Sequence, residues 1–222
     1  MQISPTKTIS IWLIPPEPLL TELSSIQSQI IKQDGRQLPT FIPHVTLIGG
    51  VKILDCCSVE EIQKSNLQTD TDTNADIDDI AAQVVLQRLQ NTFKSYGGVV
   101  CHPIKKKGVF AERQWNQSCI CLLERNASLM NAMQAANDAL FSSSSTTAPN
   151  SKDQSTKLPI ERHFKLPVND HHYSFACGNS IIPLSVKCPP PFECKEMMLM
   201  WTYPATLSGV KEWTEIGRVN LI

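Results

Sequence analysis

Apolar and polar positions recur with a readable period along most of the chain. Thr8–Ile14 (TISIWLI) is rich in β-branched and aromatic side chains and predicts an opening strand. Pro15, Pro16 and Pro18 stop it and suit the first turn of a helix. Beyond them Leu19, Leu20, Leu23, Ile26, Ile30 and Ile31 recur at three- and four-residue steps, the apolar stripe of an amphipathic helix that Asp34-Gly35 ends. Phe41–Gly50 (FIPHVTLIGG) reads as a strand, so His44 and Thr46 point to one face and Val45 and Leu47 to the other. Ile80, Val84, Leu86, Leu89 and Phe93 predict a second helix over Ile80–Phe93, its N-terminus preceded by aspartates.

Val99–Ile104 and Val109–Phe110 are strand material around the basic turn Lys105–Gly108, and Gln117–Leu123 has the character of a buried strand. Leu129, Met130, Met133, Ala136, Leu140 and Phe141 give a third helix over Asn126–Phe141, with Asn126 or Ser128 as its cap. His171–Asn179 (HHYSFACGN) repeats the first His strand, with His172 and Ser174 on one face and Tyr173 and Phe175 on the other. Glu196–Tyr203 and Glu212–Ile222 are the closing strands. Strands mixed with three helices in this order indicate an α+β fold.

Two stretches lack such a pattern. Residues 65–79 are acidic and polar, and 142–158 are dominated by Ser and Thr. Both are expected to be mobile loops within a single domain spanning 1–222.

Composition narrows the function classes. Of the 222 residues 41% are hydrophobic and 18% charged, with a net charge of −1, the profile of an ordinary soluble globular protein. Nothing in it calls for a nucleic-acid backbone or an anionic membrane as partner. No apolar run approaches the roughly 20 residues needed to cross a bilayer. The short run Ile9–Ile14 ends at prolines without a small-residue cleavage site, so it reads as a strand and not a secretory signal. The expectation is a cytoplasmic protein whose eight cysteines are reduced. No CxxC pair and no finger-like histidine spacing is present, and the aspartates lack the spacing of a calcium loop. No metal and no cofactor is therefore expected.

The chemistry rests on the two His strands. A lone His-x-Thr in a strand carries little information, because histidines commonly satisfy local hydrogen bonds. A second, followed like the first by an apolar residue and a downstream glycine (Gly49 or Gly50, and Gly178), points to a paired site. Two imidazoles near neutral pH can serve as proton acceptor and proton donor. Thr46 and Ser174, each two residues beyond its histidine, would donate hydrogen bonds to phosphate oxygens. A zinc site built from His44 and His172 lacks a third ligand. His102 and His163 have no matching hydroxyl, and His171, the rival to His172, is paired with a bulky phenol.

The patterns Pro-His-Val-Thr-Leu at 43–47 and His-Tyr-Ser-Phe at 172–175 resemble the two-histidine phosphoesterase superfamily, and more narrowly the cyclic phosphodiesterases of plants and yeast. The similarity extends to TISIWLIPP, GVFAERQWNQSCICLL and the closing segment around Trp213. The resemblance implies a bilobal fold of two antiparallel sheets facing a central groove, helices outside, with one His-x-Thr/Ser from each sheet. It implies metal-independent hydrolysis of a nucleoside 2′,3′-cyclic phosphate to the 2′-phosphate, or of ADP-ribose 1″,2″-cyclic phosphate to the 1″-phosphate. By the same resemblance His44 and His172 are the catalytic pair, Thr46 and Ser174 bind phosphate, and Trp115 falls near an aromatic that stacks on the base. The implied partner is a small cyclic-phosphate nucleotide, with RNA ends as a further class, and the implied state is a monomer. The second motif departs from the family, which usually has Pro where His171 stands, an aliphatic residue at Tyr173 and an aspartate at Asn179. Two other classes stay open: a non-catalytic module that binds nucleotides or RNA ends, and an RNA 2′–5′ ligase-like protein.

Overall fold

The computed structural model describes residues 7–34, 38–68, 76–104, 109–110, 117–141, 172–177 and 188–221. Nine strands form two sheets among these residues: β1 (Thr8–Ile14), β2 (Val45–Lys52), β3 (Val99–Cys101), β4 (Val109–Phe110), β5 (Gln117–Leu122), β6 (His172–Cys177), β7 (Phe192–Cys194), β8 (Glu196–Trp201) and β9 (Thr214–Asn220). Seven of them make one sheet in the order β4-β5-β6-β2-β1-β8-β9, and β3 pairs with β7. Every described pairing is antiparallel. Four helices accompany them: α1 (Leu19–Asp34), α2 (Val59–Gln68), α3 (Ile77–Phe93) and α4 (Ala127–Phe141).

One sheet face is covered by helices. The odd positions of β1, Ile9, Ile11 and Leu13, are fully buried, as are Val45, Met197, Leu199 and, within about a percent, Tyr173. They share a core with Leu23 and Ile30 of α1, Val85, Leu89 and Phe93 of α3, and Leu129, Ala136 and Leu140 of α4. Each such large side chain contributes on the order of 1.5–3 kcal/mol by leaving water. The even positions Trp12 and Ile14 lie on the opposite face in a separate small cluster with Met198 and Met200, against which Leu20 and Trp213 pack.

The helix boundaries follow local chemistry. Asp76 caps α3 by accepting from the Asp78 amide at 3.2 Å, and Asn126 caps α4 through its carbonyl oxygen and the Leu129 amide at 2.9 Å. Ser128, the alternative cap, instead accepts from the Val100 amide at 3.0 Å and ties α4 to β3. Apolar periodicity does not predict α2, because its sequence VEEIQKSNLQ offers Ile62 as its one described buried apolar side chain. The signal that would have found it is a capping box: the Ser58 amide donates to Glu61 at 2.9 Å, and the Glu61 amide returns to the Ser58 hydroxyl at 3.3 Å. Glu61 then pairs with Arg88 of α3.

Three expectations change. The stretch 65–79 is not all loop: 65–68 end α2 and 77–79 open α3, while 69–75 lie outside the described residues. The His strands do not come from separate sheets: β2 and β6 are hydrogen-bonded neighbours within the seven-stranded sheet. The described ladder between them has one residue pair, Val45 opposite Tyr173, so β9-β8-β1-β2 and β6-β5-β4 meet at a narrow seam. The cysteines are not all reduced either. Cys121 of β5 and Cys188, their Cα atoms 6.1 Å apart, form a disulfide, because β5 and the chain entering β7 converge there. Cys56, Cys57, Cys101 and Cys194 are free thiols. The basic turn Lys105–Gly108, the Ser/Thr-rich stretch 142–158, His163 and His171 lie outside the described residues. No described helix is long and apolar enough to cross a membrane.

Candidate active site

The seam between β2 and β6 sets the geometry of the site. Val45 and Tyr173 oppose one another on the helix-covered face, so the residues on either side of each point to the opposite face. Because the strands run antiparallel, continuing that register by one residue sets His44 beside Ser174 and Thr46 beside His172. Two copies of the motif His-x-Thr/Ser thus form a two-by-two patch with imidazoles on one diagonal and hydroxyls on the other. Directly opposed side chains in such a pair start about 5 Å apart, and diagonal ones roughly 7–8 Å. The imidazole positions are separated by about the width of one phosphate group with its attacking and leaving oxygens.

Apolar walls frame the patch. The partner of Ser174 on β5 is Ile120, and that of His172 is Leu122, both buried. On the other side Thr46 pairs with Trp12 of β1. Neither Trp12 nor these two β5 residues stands out in the sequence, although parity carries a signal: Trp12 and Ile14 follow Thr8 and Ser10 on the face of β1 opposite Ile9, Ile11 and Leu13.

His44 is held from three directions. Its ring stacks on Trp12 with centroids 3.6 Å apart and planes 7° from parallel. Phe41 meets it edge-on at 5.6 Å. Its Nδ1 lies 2.6 Å from the Ile42 carbonyl oxygen, which can only accept, so Nδ1 carries the proton and Nε2 keeps a lone pair. The residue is 5% exposed. Burial pushes its pKa down to about 3, the Ile42 carbonyl partly offsets this, and the charge of His172 lowers it further. At neutral pH His44 is an uncharged imidazole fixed in one tautomer. His172 is half-buried, and Ser174 is buried.

Two glycines shape the strand beyond Thr46. A shift in the β1–β2 register between Ile11/Ile48 and Trp12/Thr46 lets both Leu47 and Ile48 face the core. At Gly49 a Cβ would stand 3.2 Å from the Thr46 methyl, so the absent side chain leaves Thr46 its position. Gly50 has φ of 69°, a left-handed conformation that favours glycine. Tyr173, where the second motif departs from the family pattern, fills the core side of the seam, and burial raises its phenol far above the usual range. Trp115 lies outside the described residues. Among the described residues no three His, Cys, Asp or Glu side chains gather into a metal-ligand set.

No protein-family model and no curated protein sequence matches the chain. Solved structures do resemble it. The crystal structure of TT0787 of Thermus thermophilus aligns with a TM-score of 0.52 at 12% identity, over 96% of this chain and 97% of that one. E. coli LigT complexed with NADP+ aligns at 0.46 and 11% identity, over 98% and 99%. A phosphoesterase aligns at 0.43 and 12% identity, over 98% and 99%. At such identities the likeness speaks to architecture alone, an α+β fold built on a large antiparallel sheet.

Proposed function

We propose that this protein hydrolyses cyclic phosphodiesters, with His44 as general base and His172 as general acid. What supports the reading is the pairing of Val45 with Tyr173, whose register, carried one residue further, brings two imidazoles and two hydroxyls from distant segments to one sheet face, together with the charge of His172 felt at His44. The fixed tautomer of His44 leaves Nε2 with a lone pair aimed away from the Ile42 carbonyl, where it takes a proton from water, although burial makes the ring a weaker base than a free imidazole. The hydroxide formed attacks phosphorus, the bond from phosphorus to the ring oxygen opposite breaks, and the His172 imidazolium gives that oxygen its proton. Thr46 and Ser174 donate hydrogen bonds to the non-bridging oxygens as charge builds there. Ile120, Leu122 and Trp12 keep the surroundings apolar, which strengthens each of these interactions. The substrate class is a nucleoside 2′,3′-cyclic phosphate, opened at the 3′ oxygen to leave a 2′-phosphate, or ADP-ribose 1″,2″-cyclic phosphate.

The reading predicts turnover of one or both substrates that persists in EDTA. His44→Ala and His172→Ala should each lower it by about 10²–10⁴-fold, the usual contribution of acid–base catalysis. Activity that vanishes with the chelator would reject the metal-free mechanism. Tight binding of both cyclic phosphates without turnover would make the protein a binding module.

A further inference from the structure

One covalent bond crosses the seam on which the site depends. The seven-stranded sheet carries His44 and Thr46 at β2 in one half and His172 and Ser174 at β6 in the other, and the described ladder between the halves is the single pair Val45–Tyr173. The Cys121–Cys188 disulfide joins the same two halves. Cys121 lies on β5, in the β6 half. Cys188 lies on the chain that enters β7 and, past Lys195, β8, which pairs with β1 in the His44 half.

Sheet register puts the bond in line with the seam. Cys121 is the cross-strand partner of Tyr173, which is itself the partner of Val45. Its neighbours Ile120 and Leu122 are the partners of Ser174 and His172. A displacement of β5 therefore moves both groups of the second motif together, while His44 stays held by Trp12 and the Ile42 carbonyl. Across the seam, what the disulfide supplements is that one ladder pair and the packing of α1 over β6.

The bond is reachable from one end. Cys121 is fully buried and Cys188 half-buried, whereas the free thiols Cys101 and Cys194 are both fully buried and hydrogen-bonded to one another. An external dithiol therefore enters at Cys188. Its thiolate attacks the Cys188 Sγ, the S–S bond breaks, and Cys121 leaves as a thiolate that takes up a proton. The second thiol of the reductant attacks the mixed disulfide, releasing Cys188 as a thiol and closing the reductant into a cyclic disulfide, so two electrons and two protons pass to the protein. We propose that the Cys121–Cys188 bond is a redox lock on the site: oxidised, it holds β6 in register with β2 so that His172 and Ser174 face His44 and Thr46, and reduced by a dithiol, it releases the β4-β5-β6 half and lowers turnover. The lock acts on the patch already described and rests on the cyclic-phosphate reading of that patch.

Two measurements test it. In the first, wild-type protein is assayed oxidised and after complete reduction with dithiothreitol, confirmed by thiol counting, on uridine 2′,3′-cyclic phosphate and ADP-ribose 1″,2″-cyclic phosphate. Turnover should fall about 10²-fold, the effect of displacing a catalytic group by roughly 1 Å, with far-UV circular dichroism kept, and should return on reoxidation. Cys188→Ser should start at the reduced level and not respond to the dithiol; the wild-type arms decide if that variant does not fold. In the second, ¹H–¹⁵N NMR of histidine-labelled protein, with the His172 ring signal assigned from His172→Gln, follows reduction without substrate. The His172 signal should move. An unmoved signal, turnover that is unchanged or raised, a lost dichroism signal, or a fall that Cys188→Ser shares on adding the dithiol overturns the lock. A moved signal in folded protein with no turnover in either state would uphold the lock and reject the hydrolase reading instead.

Discussion

Protonation of His44 should be readable as folding stability, without substrate. Its pKa stands at about 3 against an ordinary 6.5, chiefly because the ring is buried. A folded-state value below the unfolded one means that, as pH falls, the unfolded chain takes up the proton first. The contribution is fully present above pH 6.5 and is lost progressively between 6.5 and about 3. With one pKa unit worth about 1.4 kcal/mol, the loss between pH 7 and pH 4 is roughly 3 kcal/mol. That is a large share of the ~5–15 kcal/mol by which domains are stable. Urea denaturation of wild type and His44→Gln at pH 7, 5.5 and 4 isolates the effect, because carboxylates titrate alike in both. The wild type should lose roughly 3 kcal/mol more than the variant across this range. Parallel pH profiles would refute both the buried neutral imidazole and the assignment of His44 as base.

Other outcomes follow from the same geometry. Thr46→Val and Ser174→Ala should each lower kcat by about 10²–10³-fold with a smaller change in KM, as measured by steady-state hydrolysis, because their hydrogen bonds strengthen as charge develops. Gly49→Ala should lower kcat/KM roughly tenfold by pressing on the Thr46 methyl 3.2 Å away. Adding Thr46→Ser, which deletes that methyl, should recover most of the loss, and failure to recover would place the effect elsewhere. Cys121 and Cys188 are 67 residues apart. Removing their bond with Cys188→Ser should cost about 2–4 kcal/mol in chemical denaturation, and an unchanged midpoint would argue against the bond.

Periodicity made much of the scaffold legible. TISIWLI, the α1 stripe and the Asn126 cap of α4 each follow from local chemistry, since β-branched alternation, three-four spacing and an amide before an apolar run act over a few residues. The four side chains of the patch were legible for the same reason, as parity in a strand fixes which residues share a face. Their mutual arrangement was not. Strand neighbours are chosen by non-local packing, here Val45 against Tyr173, and nothing within either motif specifies that β2 and β6 share a sheet. Trp12 was hidden differently: its importance lies in the ring stacked on His44, a property of the assembled fold. The Cys121–Cys188 pairing was beyond reach because cysteine spacing does not determine connectivity.

The claim that two imidazoles work on one phosphate is tested most directly by ³¹P NMR. Uridine 2′,3′-cyclic phosphate is incubated with the protein in ¹⁸O-enriched water containing EDTA. The cyclic resonance should give way to a single 2′-monoester carrying one ¹⁸O, and His172→Ala should leave it essentially intact over the same interval. A cyclic resonance that persists unchanged with folded wild-type protein, for this substrate and for ADP-ribose 1″,2″-cyclic phosphate alike, would contradict the account.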